Sequence, residues 1–202
     1  GLDAVSSSLD GPTAEINDAI RGEGCFDQCV SGIREAVVRG FSTSLIYTVS
    51  RENLDALKQM PALLDDLGID RFFIQVIGIR GKSTTGEFRS SQLSKEQWTQ
   101  VVPAVARRAA EGGRIVTYPK VFLVPEEVFE CAGNVADNYF VFPNGRVYRC
   151  PLCEDFPIHG RQIREGQLIP RPKITEEDLF SLEIPEGCIM NRLVQPGNLE
   201  YD

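Results

Sequence analysis

Short apolar runs alternate with stretches of helical periodicity along the first 118 residues. The pattern predicts strands at Leu2–Ser8, Ser42–Val49, Arg71–Ile77 and Arg114–Thr117. Arg71–Ile77 is almost continuously apolar, as expected for a strand with both faces buried in a parallel sheet. We therefore expect a sheet whose strands are separated by crossover helices.

Helical spacing of apolar residues predicts three such helices. One spans Phe26–Arg39 and stops at Gly40. A second is capped by Asn53, is expected to kink at Pro61 and ends at Gly68. A third begins at Ser94, whose spacing to Gln97 is that of a capping box, and runs to about Glu111 with an interruption or kink at Pro103.

Strand and helix thus alternate three times before a last strand, the pattern of an α/β protein with a parallel sheet and right-handed crossovers. Beyond Pro119 the periodicity fades and Pro, Gly and Cys become dense. Tyr139–Phe142 and Arg146–Arg149 flank Pro143-Asn144-Gly145, which predicts a β-hairpin. We expect two domains, residues 1–120 and 121–202.

Composition and charge narrow the function classes. The chain has 202 residues, of which 42% are hydrophobic, and a net charge of −8. An acidic chain without a basic stripe is a poor partner for duplex nucleic acid. No apolar run is long enough to cross a membrane, and the first residues do not resemble a signal peptide. The sequence therefore predicts a cytoplasmic protein with reduced thiols, and its single His excludes His-rich zinc sites.

Four of the six cysteines follow the predicted domain boundary: Cys131, Cys150, Cys153 and Cys188. Cys150 and Cys153 form a C-x2-C pair just after the hairpin, a spacing that lets two thiolates reach one metal centre. Thiolates favour iron–sulfur clusters or zinc. Four unrelated buried cysteines remain the alternative. Cys25 and Cys29, one helical turn apart, are better explained by helix packing than by metal binding.

These residues resemble the radical S-adenosylmethionine (radical SAM) family. Ser8-Leu9-Asp10-Gly11-Pro12, with Arg21-Gly22 and the strand before Asn53, is similar to the fourth strand of that family's partial (β/α)6 barrel and the segment after that strand. Cys131, Gly145 and Cys150 fit the C-x9-15-G-x4-C signature of its auxiliary-cluster extension, called SPASM in its long form and twitch in its short form. The resemblance implies a fold made of the second half of a TIM-like barrel with a small cysteine-rich hairpin extension.

The chain departs from the family in the cluster that binds the cofactor. The defining C-x3-C-x2-C loop is absent, since Gly32 follows Cys25 and Cys29 where a third Cys would stand. The chain starts at the expected fourth strand and resembles the C-terminal part of a longer enzyme, which alone should lack catalysis. Its first strand should then offer an unpaired edge, so we expect self-association.

The resemblance also implies roles for single residues. Ser8, Asp10, Arg21, Gln75 and Gly78 would bind S-adenosylmethionine, with Arg21 pairing to its carboxylate. A simple turn at Ser8 and Asp10, a surface Arg21 and a plain strand end at Gly78 are the alternatives. The four late cysteines, Cys131, Cys150, Cys153 and Cys188, would hold an auxiliary [4Fe–4S] cluster.

The resemblance implies reductive cleavage of S-adenosylmethionine and hydrogen abstraction from a peptide or small-molecule substrate. The missing N-terminal half of the enzyme and a low-potential electron donor would be the other partners. The alternative is a non-catalytic zinc module with four cysteine ligands next to an α/β domain, and a third possibility is an α/β protein without metal.

Overall fold

This computed structural model describes residues 1–77, 91–118, 139–148 and 160–172. The chain divides into two compact units, the first holding the described residues up to 118 and the second those from 139 onward. In the described ranges, no helix is long and apolar enough to span a membrane.

The first unit is a parallel sheet with helices in its crossovers. Its elements are, in chain order, β1 (Ala4–Ser8), α1 (Ala14–Arg21), α2 (Cys25–Val38), β2 (Ser42–Val49), α3 (Leu54–Leu57), α4 (Met60–Leu67), β3 (Arg71–Val76), α5 (Lys95–Ala110) and β4 (Ile115–Thr117). The strands lie in the order β1-β2-β3-β4 and every pair is parallel. The predicted parallel α/β sheet is therefore confirmed.

One face of this sheet is covered by helices. Helix α2 packs on β1 and β2, and α5 packs on β3 and β4. The buried strand side chains on this helix-covered face are Thr43, Leu45, Tyr47, Val49, Phe72, Ile74, Val76 and Val116. Their strict alternation places the core between sheet and helices.

The opposite face, here called the open face, is only partly covered. Apart from Thr117 on β4, which is buried, its side chains are exposed or half-buried: Ser6, Ser8, Ser44, Ile46, Thr48, Arg71, Phe73 and Gln75. The prediction that both faces of Arg71–Ile77 are buried is wrong at Gln75, which is exposed. Most of the sequence of this strand is apolar, but burial depends on what covers each face.

Three helix predictions need correction. Residues 14–21 form α1, which the sequence pattern did not predict. The segment after Asn53 is two helices, because Pro61 lies in the first turn of α4, where its missing N–H costs nothing, rather than at a kink. Helix α5 continues through Pro103 without interruption, and its predicted capping box between Ser94 and Gln97 is present.

The second unit contains an antiparallel sheet in the order β5-β6-β7-β8, formed by Phe140–Val141, Arg146–Tyr148, Arg161–Arg164 and Gln167–Pro170. The predicted pairing of the first two strands around Gly145 is confirmed. The β7–β8 hairpin was not predicted. Its two-residue turn, Glu165-Gly166, has positive φ at both positions, the geometry of a type I′ turn.

Candidate functional site

The most densely hydrogen-bonded polar cluster in the described part of the first unit surrounds Asp10, just beyond the end of β1. The Asp10 carboxylate is buried, and its Oδ2 lies 2.7 Å from Nε of Arg21. Its Oδ1 accepts a hydrogen bond of 2.9 Å from the main-chain N–H of Thr48 on β2. Asp10 thus ties the end of β1 both to its neighbouring strand and to the last residue of α1.

The main chain of Asp10 is held as firmly as its side chain. Its N–H donates to Oδ1 of Asn17 at 2.9 Å, and its carbonyl accepts from Nδ2 of Asn53 at 3.0 Å. Gly11 follows because a Cβ there would lie 2.6 Å from the main-chain nitrogen of Asn17. The sequence Asp10-Gly11-Pro12 therefore forms a turn pressed against the start of α1.

Asp18 holds the beginning of the next helix. Its carboxylate accepts hydrogen bonds of 2.8 Å from the N–H groups of Gly24 and Phe26, and one of 3.0 Å from Nδ2 of Asn17. The Asn17 amide, the largest influence, and these N–H donors lower the pKa of Asp18. Asp18 caps α2 from α1. Gly24 stands at the N-cap of α2 and has no side chain to cap it, and this glycine is the feature of the sequence that could have indicated a cap from elsewhere.

A third carboxylate, that of Glu52, lies just after β2. Oε1 of Glu52 accepts a 2.7 Å hydrogen bond from the hydroxyl of Ser91, and the N–H of Arg51 donates to the Ser91 carbonyl at 2.9 Å. The hydroxyls of Ser50 and Ser91 lower the pKa of Glu52. No pattern in the sequence indicated this pair, since its members are 39 residues apart.

The residues predicted to bind the cofactor are partly brought together. Ser8 is the half-buried last residue of β1, and Asp10 and Arg21 form an ion pair next to it. Gln75 is exposed on β3 and pairs in register with Thr48, whose N–H binds Asp10. Asp10, Thr48 and Gln75 therefore form a row across three neighbouring strands at the carboxyl end of the sheet. Gly78 lies outside the described residues.

The proposed metal ligands Cys131, Cys150, Cys153 and Cys188 also lie outside the described residues. Within the described ranges, no group of three or more His, Cys, Asp or Glu side chains could hold a metal ion.

The two early cysteines contact main-chain carbonyls. Both are free, half-buried thiols. Sγ of Cys25 lies 3.3 Å from the Arg21 carbonyl, and Sγ of Cys29 lies 3.7 Å from the Ser8 carbonyl. Burial raises the pKa of the Cys29 thiol, which disfavours the thiolate that a metal requires. These contacts favour the packing interpretation.

Comparison with known proteins finds several curated proteins that are similar to this chain in sequence. No protein-family model matches the chain. Mycofactocin maturase MftC of Mycolicibacterium smegmatis is 43% identical over 174 residues, which cover 78% of this chain and 40% of that protein. Pre-heme d1 synthase of Dinoroseobacter shibae is 33% identical over 115 residues, which cover 55% of this chain and 28% of that protein. The chain thus spans less than half the length of these curated relatives.

The fold is similar to that of a solved protein, SuiB of Streptococcus suis. Its crystal structure superposes with a TM-score of 0.52 over 75% of this chain and 39% of SuiB, at 11% sequence identity. SuiB has also been solved with S-adenosylmethionine and with its precursor peptide SuiA. At this identity the similarity concerns the fold alone.

Proposed function

This chain belongs to the radical SAM family over the part that it shares with its relatives, and we propose that it is the second half of that family's partial (β/α) barrel followed by an auxiliary-cluster domain. The observation that carries the proposal is the polar row at the carboxyl ends of three parallel strands. This edge is where barrels of this kind place their active sites. The first three of the four parallel strands are each followed by helix, as in a (β/α) barrel.

The residues at this edge fit the polar groups of S-adenosylmethionine. The Arg21 side chain is 32% exposed while its Asp10 partner is 7% exposed, so a fixed guanidinium stays accessible to a carboxylate. Ser8 and Gln75, on the open face, add a hydroxyl and an amide for the ribose and the base. Bound next to an iron–sulfur cluster, S-adenosylmethionine would supply radical chemistry that removes a hydrogen atom from the substrate.

A peptide is the substrate class that we propose for the whole enzyme. The relatives include a mycofactocin maturase, and SuiB binds a precursor peptide. Beside Ser8 and Gln75, which we assign to the cofactor, the open face offers the neutral hydroxyl of Thr48, which suits an N–H or C=O group of a peptide. Heme precursors, the substrate class of other relatives, are the second candidate. Heme precursors carry several carboxylates, and the one cation that we assign at this edge of the sheet, Arg21, receives the carboxylate of the cofactor.

In the second unit we propose that Cys131, Cys150, Cys153 and Cys188 bind a [4Fe–4S] cluster. Cys150 follows β6 by two residues, and Gly145 at the turn before β6 has the positive φ that a tight reversal requires. A colourless protein with zinc in the same site is the competing proposal.

Metal analysis of anaerobically purified protein tests the cluster. We expect iron, sulfide and absorption near 400 nm, which are lost in Cys150→Ala and retained in Cys25→Ala and Cys29→Ala. Stoichiometric zinc without iron would favour the zinc module. Iron retained in Cys150→Ala but lost in the Cys25 variant would contradict the ligand assignment.

Calorimetric titration with S-adenosylmethionine tests the cofactor site. Arg21→Ala should weaken binding by about one order of magnitude or more, because it removes a charge-assisted hydrogen bond to the cofactor carboxylate. Arg34→Ala is the matched control, since Arg34 also pairs with an aspartate, Asp66, but on the exposed helix surface. Equal affinities of the two variants would remove Arg21 from the site.

A further inference from the structure

Asn53 makes more hydrogen bonds with its side chain than its place at a helix start explains. The residue is 1% exposed and stands at the N-cap position of α3, yet its side chain caps no helix N–H. Instead Nδ2 donates to the carbonyls of Asp10 and Thr48, both at 3.0 Å, and Oδ1 accepts from the N–H of Ser50 at 2.8 Å. The prediction that Asn53 acts as a helix cap is therefore wrong for its side chain.

These bonds join two segments that are distant in sequence. The carbonyl of Asp10 belongs to the loop after β1, and the carbonyl of Thr48 belongs to β2. Both Nδ2 hydrogens are used, so the amide clamps the loop onto the strand at Thr48, the residue whose N–H binds the Asp10 carboxylate. Asp10 is thereby held at its carbonyl and at Oδ1 by two neighbouring segments.

The main chain of Asn53 is itself fixed from the core. The hydroxyl of Tyr47, a fully buried side chain of β2, donates to the Asn53 carbonyl at 2.7 Å. The main chain of Asn53 is therefore bound to the core on the helix-covered face, and a movement of Asn53 would break this buried hydrogen bond.

The position of Asp10 in turn affects the side chain of Arg21. Its Nε donates to Oδ2 of Asp10 at 2.7 Å, so the direction of the guanidinium depends on where Asp10 lies. We propose that Asn53 is a positioning residue, which holds the Asp10 loop and through it orients the Arg21 guanidinium at the carboxyl end of β1. The inference rests on the proposed function only in that Arg21 is there the group that receives the cofactor carboxylate.

Nitrogen-15 NMR of the Arg21 side chain tests the positioning directly, without cofactor. In the unaltered chain, the Nε–H of Arg21 should exchange slowly with solvent because it donates to Asp10. In Asn53→Ala, that exchange should become about tenfold faster or more, the effect of losing one to two buried hydrogen bonds. Val102→Ala, which removes methyl groups from a fully buried position of α5, lowers stability without touching this cluster and should leave the exchange rate unchanged.

The exchange rates decide whether Asn53 orients Arg21 or only stabilises the fold. Fast exchange in Asn53→Ala only, with the fold retained, supports the positioning role. Exchange equal to that of Val102→Ala, at a similar loss of unfolding temperature, would make Asn53 purely structural. If Asn53→Ala does not fold, Tyr47→Phe takes its place, because it releases the Asn53 carbonyl while preserving core volume, and the same two outcomes apply.

Binding of S-adenosylmethionine separates this inference from the proposed function. Both hold if Asn53→Ala weakens binding and speeds Arg21 exchange. If neither the unaltered chain nor any variant binds S-adenosylmethionine, the proposed cofactor site fails, while the exchange rates still decide the positioning role.

Discussion

Gly145 shows how a single backbone position fixes the second sheet. It has a φ of +78°, and a Cβ there would lie 2.5 Å from the carbonyl oxygen of Ile163. The N–H of Ile163 donates to the Gly145 carbonyl at 2.7 Å, so the turn before β6 lies directly against β7. Two independent constraints, conformation and space, therefore exclude every side chain at this position.

Gly145→Ala should lower stability much more than Gly166→Ala. Gly166 has a similar φ of +75° but no neighbour within 4 Å of a Cβ, so Ala there costs only the left-handed conformation, about 1–2 kcal/mol. Gly145→Ala should cost roughly 2 kcal/mol more, because the backbone of β7 must shift. Chemical unfolding followed by the near-ultraviolet signal of the second unit measures both, and equal losses would mean that β7 does not lie against the turn.

Asp18 makes a pH-dependent contribution to the first unit. Its folded pKa is lowered by the Asn17 amide and by the N–H groups at the start of α2, so the contribution is complete above the unfolded pKa of about 3.9. It is lost as the pH falls through the lower folded value, because the protonated carboxyl is the weaker acceptor.

Asp18→Asn should therefore destabilise the chain at neutral pH, and the difference from the unaltered chain should shrink between about pH 5 and pH 2. Thermal unfolding across this range measures it. Asp27→Asn, which removes an exposed charge from the first turn of the same helix, is the control for charge alone. A constant difference at all pH values would show that the carboxylate does not cap α2.

At the scale of elements, β8 is protected against pairing with another chain. Among the described strands it pairs only with β7, and Leu168 and Ile169 are exposed. The N–H of Arg171 donates to the Gly160 carbonyl, so in the alternating antiparallel ladder the nitrogen of Pro170 points to the free edge. Proline at that position removes an edge donor, a known device against aggregation.

Pro170→Thr should therefore produce concentration-dependent association in sedimentation velocity. The control is Gln167→Thr in the same strand, because the Gln167 N–H is directed to β7 in the closing pair of the hairpin. Association of both variants to the same degree would point to β-propensity rather than to the restored N–H.

At the scale of the whole molecule, the two faces of the parallel sheet differ in what covers them. Phe72 on the helix-covered face is fully buried, whereas the adjacent Phe73 on the open face is half-buried. Within the described residues, the open face is thus the less covered face of the sheet.

Phe72→Ala should cost about 3–5 kcal/mol of unfolding free energy, as expected for a buried aromatic. Phe73→Ala should cost less than about 2 kcal/mol, because water already reaches that ring. Urea unfolding of the two variants measures both losses of unfolding free energy. The comparison is direct because the two residues are adjacent and have the same side chain. Equal costs would indicate that the open face is covered in solution.

The sequence by itself determined the alternation of strands and helices in the first unit, and it indicated the radical SAM family. Apolar runs and helical periodicity act locally, so the four parallel strands, α2, α5 with its capping box and the hairpin around Gly145 could be predicted from it. The motif Ser8-Leu9-Asp10-Gly11-Pro12 is a run of adjacent residues, so its resemblance to the radical SAM family could be recognised in the sequence.

Only the tertiary structure decided which polar groups meet. Asn53 binds the carbonyl of Asp10, 43 positions away, and Ser91 binds Glu52 over 39 positions. No periodicity encodes such contacts, since they arise when parallel strands align their carboxyl ends. For the same reason the exposure of Gln75 could not be predicted, because a strand's residues do not reveal which of its faces the rest of the molecule covers.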